Sequence, residues 1–328
     1  MPFNSLYFFL KPLIPRRHQI AVRRAWVQRR RKKVGHIWPI DENAARPPAG
    51  WKGWPEGKRF ALVITHDVES ATGQDRCIPL MKLERERGFR SSFNFVADKY
   101  ANHPGLFDEL RSCGFEIGLH GLRHHENLFK SHDYFTAQVS RINKYLRDWG
   151  AAGFRAPCMY HNLDWTHDLE IEYDSSTFDT DPFEPQPDGV GTIFPFWVRN
   201  NSGGKGYLEL PYTLPQDHTL FVIMQERSID IWIRKLDWIA EKGGMALLIT
   251  HPDYMKFDGH GESIETYPAE FFGDFLKHLD SRYKGKYWNP LPRDLVPFWK
   301  RFDGELKKSS PSGGSSPRGG ERLLREAV

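Results

Sequence analysis

The sequence predicts an α/β fold: a distorted (β/α) barrel of about seven or eight strands, preceded by a basic N-terminal arm. Three observations carry this expectation. From Phe60 onward, short apolar runs alternate with helix-like stretches, the pattern of a parallel sheet whose strands are joined by helices. About eight such runs occur, which favours a closed barrel over an open sheet. Four of them end in clusters of polar residues, and the strand ends are where such barrels carry active sites.

Residues 1–35 form the arm. Ile20, Val22, Trp26 and Val27 recur at near-helical spacing among arginines, so the arm reads either as a helix on an anionic membrane surface or as a solvated helix packed on the body. Residues 36–59, rich in Pro, Gly and Trp, read as an ordered connector. The body, 60–304, holds strand-like runs at Phe60–Thr65, Arg90–Val96, Glu116–His120, Gly153–Ala156, Ile171–Thr177, Leu208–Tyr212, Thr219–Met224 and Met245–Thr250. Helix-like stretches lie at Gln74–Arg87, Asp133–Trp149, Ser228–Lys242 and Pro268–Tyr283. The tail, 305–328, is rich in Ser, Gly and Pro and is expected to be disordered.

The net charge of +4 hides an asymmetry. Residues 1–40 carry ten Lys or Arg and no acid, and the tail adds five basic and three acidic residues. The remainder has 31 basic and 39 acidic residues, so the body is acidic. The basic pI belongs to the arm, and no nucleic-acid partner is expected. Cys77, Cys113 and Cys158 are too few and too scattered for a disulfide framework. The Leu6–Pro15 stretch is short, is interrupted by Lys11, and lacks a basic leader before it and a cleavage signal after it. A cytoplasmic location, with the arm open to peripheral membrane contact, is the expectation.

The polar clusters are His66-Asp67-Val68-Glu69, His120 to His124, Arg155-Ala-Pro157 and His251-Pro-Asp253, each directly after an apolar run. In a barrel these tips open on one face, so clusters distant in sequence can meet in one pocket. His120 and His124 are four apart, and a helical turn would put both imidazoles on one side. With a carboxylate of the first cluster they give a His₂-carboxylate set, which leaves a coordination position for water. The spacing alone is also common among surface histidines.

Taken in order, Thr65-His-Asp-Val-Glu69, His120–His124, Arg155-Ala-Pro157, Tyr173-Asp-Ser-Ser176 and Leu248-Ile-Thr-His251 resemble the five motifs of the polysaccharide deacetylases of carbohydrate esterase family four, the NodB-homology domain. The resemblance runs from about Phe60 to at least His251. It implies a distorted (β/α) barrel, a carbohydrate substrate, and removal of an N- or O-acetyl group with a divalent metal, zinc above all. It assigns Asp67 as general base, Glu69, His120 and His124 as metal ligands, Arg155 as the residue orienting Asp67, and His251 as proton donor. An acid of the Asp174–Asp181 segment would tune His251, and Asp174 and Pro157 are weaker candidates for tuning or substrate contact.

Two positions depart from the family pattern. The usual adjacent aspartates are here Asp67 and Glu69 with Val68 between, so the reverse assignment of base and ligand stays open. Gly121 replaces the usual Ser or Thr, which is expected only to remove a hydroxyl. The stretch Glu209-Leu-Pro-Tyr-Thr-Leu-Pro-Gln-Asp217 is unusual for a plain strand and has no assigned chemistry beyond a pocket wall. Two rival readings are a metal-independent amidohydrolase on the same scaffold and a non-catalytic carbohydrate-binding or membrane-associated relative.

Overall fold

The computed structural model describes residues 15–125, 127–186, 188–200, 203–257 and 263–309. The first helix, α1 (Arg16–Val34), leads through the connector to β1 (Phe60–Val68). There follow α2 (Ala71–Asp75), α3 (Cys77–Arg85), β2 (Ser92–Phe95), α4 (Pro104–Ser112), β3 (Glu116–Leu119), α5 (His132–Asp148), β4 (Gly153–Phe154), β5 (Tyr173–Asp174), β6 (Phe196–Val198) and β7 (Tyr207–Glu209). A π-helix (His218–Ile223) comes next, then α6 (Asp230–Lys242), β8 (Met245–Thr250), β9 (Met255–Lys256), β10 (Tyr267–Pro268), α7 (Glu270–Tyr283), β11 (Tyr287–Trp288) and α8 (Pro292–Ser309).

The sheet runs β1-β2-β3-β4-β5-β7-β6, with β8 on the other edge of β1 and β11 beside the start of β1. Every pairing in it is parallel except β6 with β7. Just past β7 the chain bridges β8 through Leu214 and Leu248, so the sheet curls back on itself as the expected distorted barrel. All nine residues of β1 are buried, as expected of a strand covered on both faces.

Helices α4 and α8 and the short strands β6, β9, β10 and β11 add to the expected elements, and two departures bear on the reading of the chain. Thr219–Met224 is not a strand but the last part of the π-helix and its cap. Its apolar residues are buried either way, and a short apolar run carries no periodicity that separates strand from buried helix. The last helix continues to Ser309, past the expected start of the tail, and 310–328 lie outside the described residues.

The connector is fixed by aromatic packing: Trp51 and Trp54 contact Phe298 and Trp299 of α8, and the Trp54 indole donates to the Gly243 carbonyl. Helix α1 buries Ile20 and Val27 against the body. Arg24 donates to the carbonyls of Val222 and Ile264, and Arg16 and Arg31 pair with Glu265 and Glu226. The arm is therefore docked on the π-helix. No helix among the described residues is long and apolar enough to cross a membrane.

Candidate active site

Strand alternation explains the first motif. Successive side chains point to opposite faces, so Thr65, Asp67 and Glu69 share one side of the β1 line, and His66 and Val68 the other. The intervening Val68 is thus what lets two carboxylates enter the same pocket. Outside the barrel, His66 binds Thr250 through Nδ1 and lies 3.2 Å from Glu84 of α3 through Nε2.

Inside, Asp67 is 2% exposed. Its Oδ1 accepts from Arg155 Nη1 and from Asn94 Nδ2, each at 2.9 Å. Arg155, fully buried, also donates to Thr65 Oγ1 and the Ser175 carbonyl. Burial alone would raise the Asp67 carboxyl, but Arg155, with His120, His251 and Asn94, outweighs it and holds the group down at about 2. Asp67 is therefore ionised at any ordinary pH.

His120 follows β3, and its Nδ1 sits 3.1 Å from the Arg155 carbonyl. A carbonyl only accepts, so Nδ1 carries the hydrogen and Nε2 presents a lone pair. Burial disfavours the imidazolium and pushes His120 down to about 4. Its Nε2 is buried, 3.9 Å from Asp67 Oδ2, with no hydrogen-bond partner among the described residues. His124 reaches Glu69 Oε1 at 2.8 Å.

The chain between the two histidines bends rather than forming the expected helical turn, yet the rings lie 5.2 Å apart. Gly121 makes the bend, at φ +66°, and a Cβ there would come within 2.6 Å of Pro157 Cγ. This corrects the expectation for Gly121: the position demands glycine for backbone and space. It also gives Pro157 a packing contact under the histidine loop.

Glu69 is fixed from three sides. Its N–H donates to Asp253 Oδ2 at 2.9 Å, and Tyr254 OH donates to its Oε2 at 3.0 Å. Ser70 Oγ also donates to Asp253, whose approach is open because the nearby residue is Gly73; a Cβ there would overlap the carboxylate. Burial opposes the Glu69 charge, but His124, His251 and His120 hold the carboxyl well below its ordinary value.

His251 follows β8, and its Nε2 lies 3.6 Å from Glu69 Oε1. Its Nδ1–H and its backbone N–H both reach Asp217, at 2.6 and 2.7 Å, and Tyr267 OH donates to the same carboxylate at 2.8 Å. Burial works against the imidazolium, but Asp217 prevails and lifts His251 to about 10.

The acid on His251 is therefore Asp217, not a member of the Asp174–Asp181 segment. Asp174 accepts from Ser176 and faces Glu209, Asp179 pairs with Lys235, and Asp181 caps Phe183. Asp217 ends the Pro-rich stretch whose chemistry the sequence left unassigned. Its one available signal was that stretch's departure from a plain strand.

Glu69, His120 and His124 offer ligand atoms within 4.8 Å of one another, the one such group among the described residues. Two imidazoles and a carboxylate, one imidazole with an unpartnered buried lone pair, suit a divalent cation.

Residues 56–168 match the polysaccharide deacetylase family model. A search of curated proteins finds no match. Among solved structures, a protein described as a polysaccharide deacetylase from Mycobacterium smegmatis is 18% identical, with a TM-score of 0.60, over 83% of this chain and 99% of that one. One so described from Pseudomonas aeruginosa PAO1 is 16% identical with a TM-score of 0.55, over 80% of this chain and 98% of its own. The PuuE allantoinase matches with the same figures. The motif resemblance to the polysaccharide deacetylases is thereby supported in sequence and in fold. The family model covers the segment 56–168, and the solved structures show the fold. The matched segment contains Asp67, Glu69, His120, His124 and Arg155; Asp217 and His251 lie beyond it.

Proposed function

We propose that the protein is a metal-dependent hydrolase that removes an acyl group, acetyl foremost, from an amide or ester on a carbohydrate. One observation carries this reading: Glu69 Oε1 lies 2.8 Å from His124 Nε2 and 3.6 Å from His251 Nε2, next to the unpartnered His120 Nε2. Residues from β1, β3 and β8 thus meet around one point.

When bound on Glu69, His120 and His124, a divalent cation supplies a Lewis acid for the acyl carbonyl and for water. The chain's own residues do the rest. Asp67 takes the proton of the attacking water on Oδ2, since Oδ1 is engaged by Arg155 and Asn94. This favours Asp67 as base and Glu69 as ligand over the reverse. His251, kept charged by Asp217, gives its Nε2 proton to the departing nitrogen or oxygen as the C–N or C–O bond breaks. Arg155 and Asp217 touch no substrate; they position and charge the two groups that do.

Acetate release from acetylated oligosaccharides, before and after chelation and with zinc restored, tests the proposal. Turnover indifferent to the chelator would defeat it. A second reading, hydrolysis of a small cyclic amide without metal, draws its support from the allantoinase among the similar folds. Stoichiometric metal in the purified active protein would dispose of it.

A further inference from the structure

Helix α1 precedes the family-matched segment, yet it lies along the catalytic face. It packs on the π-helix that begins one residue after Asp217, and Arg24 and Gln28 donate to carbonyls of that helix and its cap. Next to Asp217, the His218 ring lies tilted against Tyr254, centroids 4.7 Å apart, and Tyr254 holds Glu69. His218 Nε2 is buried with no hydrogen-bond partner among the described residues.

Arg23, Trp26 and Arg30 stand at i, i+3 and i+7 on one flank of α1. Trp26 is 45% exposed and meets Phe183 edge-on, while the Arg30 guanidinium lies over its ring at 5.3 Å. Phe183 belongs to the loop after β5, another strand tip of the same face. Arg23 is exposed and makes no ion pair with any described residue. It is near enough to His218 and Glu184 for its charge to act on both, and Arg16 acts likewise on Glu69 and Tyr254. Glu184 is already engaged by Tyr212 and Gln216, at 2.6 Å each.

An interfacial helix on a lipid surface needs a continuous apolar face to bury. Here Ile20 and Val27 are spent on the body, and Val22 and Trp26 are the only large apolar side chains of α1 left exposed. What remains is a cationic flank with one aromatic platform, beside a pocket already argued to take a sugar.

Resting on that reading, we infer that α1 forms an outer substrate subsite for an acidic glycan, in which Trp26 stacks on a sugar ring and Arg23 binds the carboxylate of a uronate-type residue next to the acylated one. A planar guanidinium matches a carboxylate with two hydrogen bonds, and an exposed indole offers a flat apolar face.

The test compares two acetylated oligosaccharides with the full-length protein: an N-acetylglucosamine tetramer, and a tetramer in which glucuronate alternates with N-acetylglucosamine. The wild type should prefer the second. Arg23→Gln should lower the acidic-to-neutral ratio of kcat/KM about tenfold, mainly through KM, the value of one charge-assisted contact. Arg29→Gln, on another side of the helix, should leave the ratio alone. Trp26→Ala should weaken binding of both sugars. An equal fall for both substrates in Arg23→Gln, an equal fall in the two arginine variants, or no fall at all overturns the inference.

Calorimetric titration with the deacetylated acidic tetramer separates the two readings. Arg23-dependent binding without turnover sinks the proposed activity and keeps the subsite. Turnover without acidic preference does the reverse. Arg23-dependent sedimentation with phosphatidylglycerol vesicles, with no acidic preference, assigns the flank to a membrane and also overturns the inference.

Discussion

Asp217 grips His251 twice, taking the ring Nδ1–H on one oxygen and the backbone N–H on the other. The ring is thereby fixed in orientation and charge, with Nε2 turned toward Glu69.

Asp217→Asn removes that charge and should lower kcat roughly 10²–10⁴-fold, the usual worth of a positioned proton donor. KM and bound metal should change little. Steady-state kinetics with metal analysis checks this; loss of metal alongside turnover would make Asp217 part of the metal site instead.

The same pair sets a stability window in the metal-free protein. A histidine raised from 6.5 to about 10 contributes stability that is full below pH 6.5 and is lost as pH rises through about 10. Among the carboxyls raised by burial, Asp181 and Asp253, at about 6, have largely titrated by pH 7, whereas Glu116 and Glu184, at about 7, are half-titrated there and Glu209 is held well above its ordinary value, so these add to the fall in wild type and Asp217→Asn alike. Melting temperatures of chelated protein should therefore fall between pH 7 and 10, and much less steeply in Asp217→Asn.

Asp67→Asn and Glu69→Gln should fail differently. The first should keep metal and lose on the order of 10²–10⁴ in kcat. The second should weaken metal binding by about 100-fold or more, as a ligand lost from a three-residue set. Metal titration followed by chelator competition reads both, and the opposite pattern would exchange base and ligand.

Arg155→Met leaves Asp67 buried beside no cation. Breaking a buried ion pair from one side costs about 3–5 kcal/mol, measurable by urea unfolding. In whatever protein remains folded, the Asp67 carboxyl should rise from about 2, bringing an acid limb into the pH–rate profile.

Gly121→Ser restores the residue usual at that point of the second motif, yet it should harm the protein. The left-handed backbone and the Pro157 ring together should cost about 1–3 kcal/mol, and loosen metal binding through His120. Adding Pro157→Ala should recover part of the loss by relieving the contact but not the backbone. Thermal melts of the single and double variants test this.

The sequence carried the parts of this site that obey local rules. Asp67 and Glu69 could be read because they close an apolar strand-like run, and His120 and His124 because they stand four positions apart after another. The barrel followed from the alternation of apolar runs. Asp217 escaped because it precedes an apolar run that looks like a strand but coils as a π-helix, and its partner is 34 residues away. The need for glycine at 121 was equally hidden, since it arises from a proline on the neighbouring strand tip.

Sliding β1 by one residue would send His66 and Val68 inward and turn both carboxylates away. On the outer side, His66 is bonded to Thr250 and lies 3.2 Å from Glu84, which accepts from Ser91 Oγ. Those three partners never meet substrate, yet they anchor the strand's phase. Directed evolution of this pocket would do well to leave Glu84 and Ser91 untouched, for a library confined to the cavity walls presupposes a register that is kept from behind.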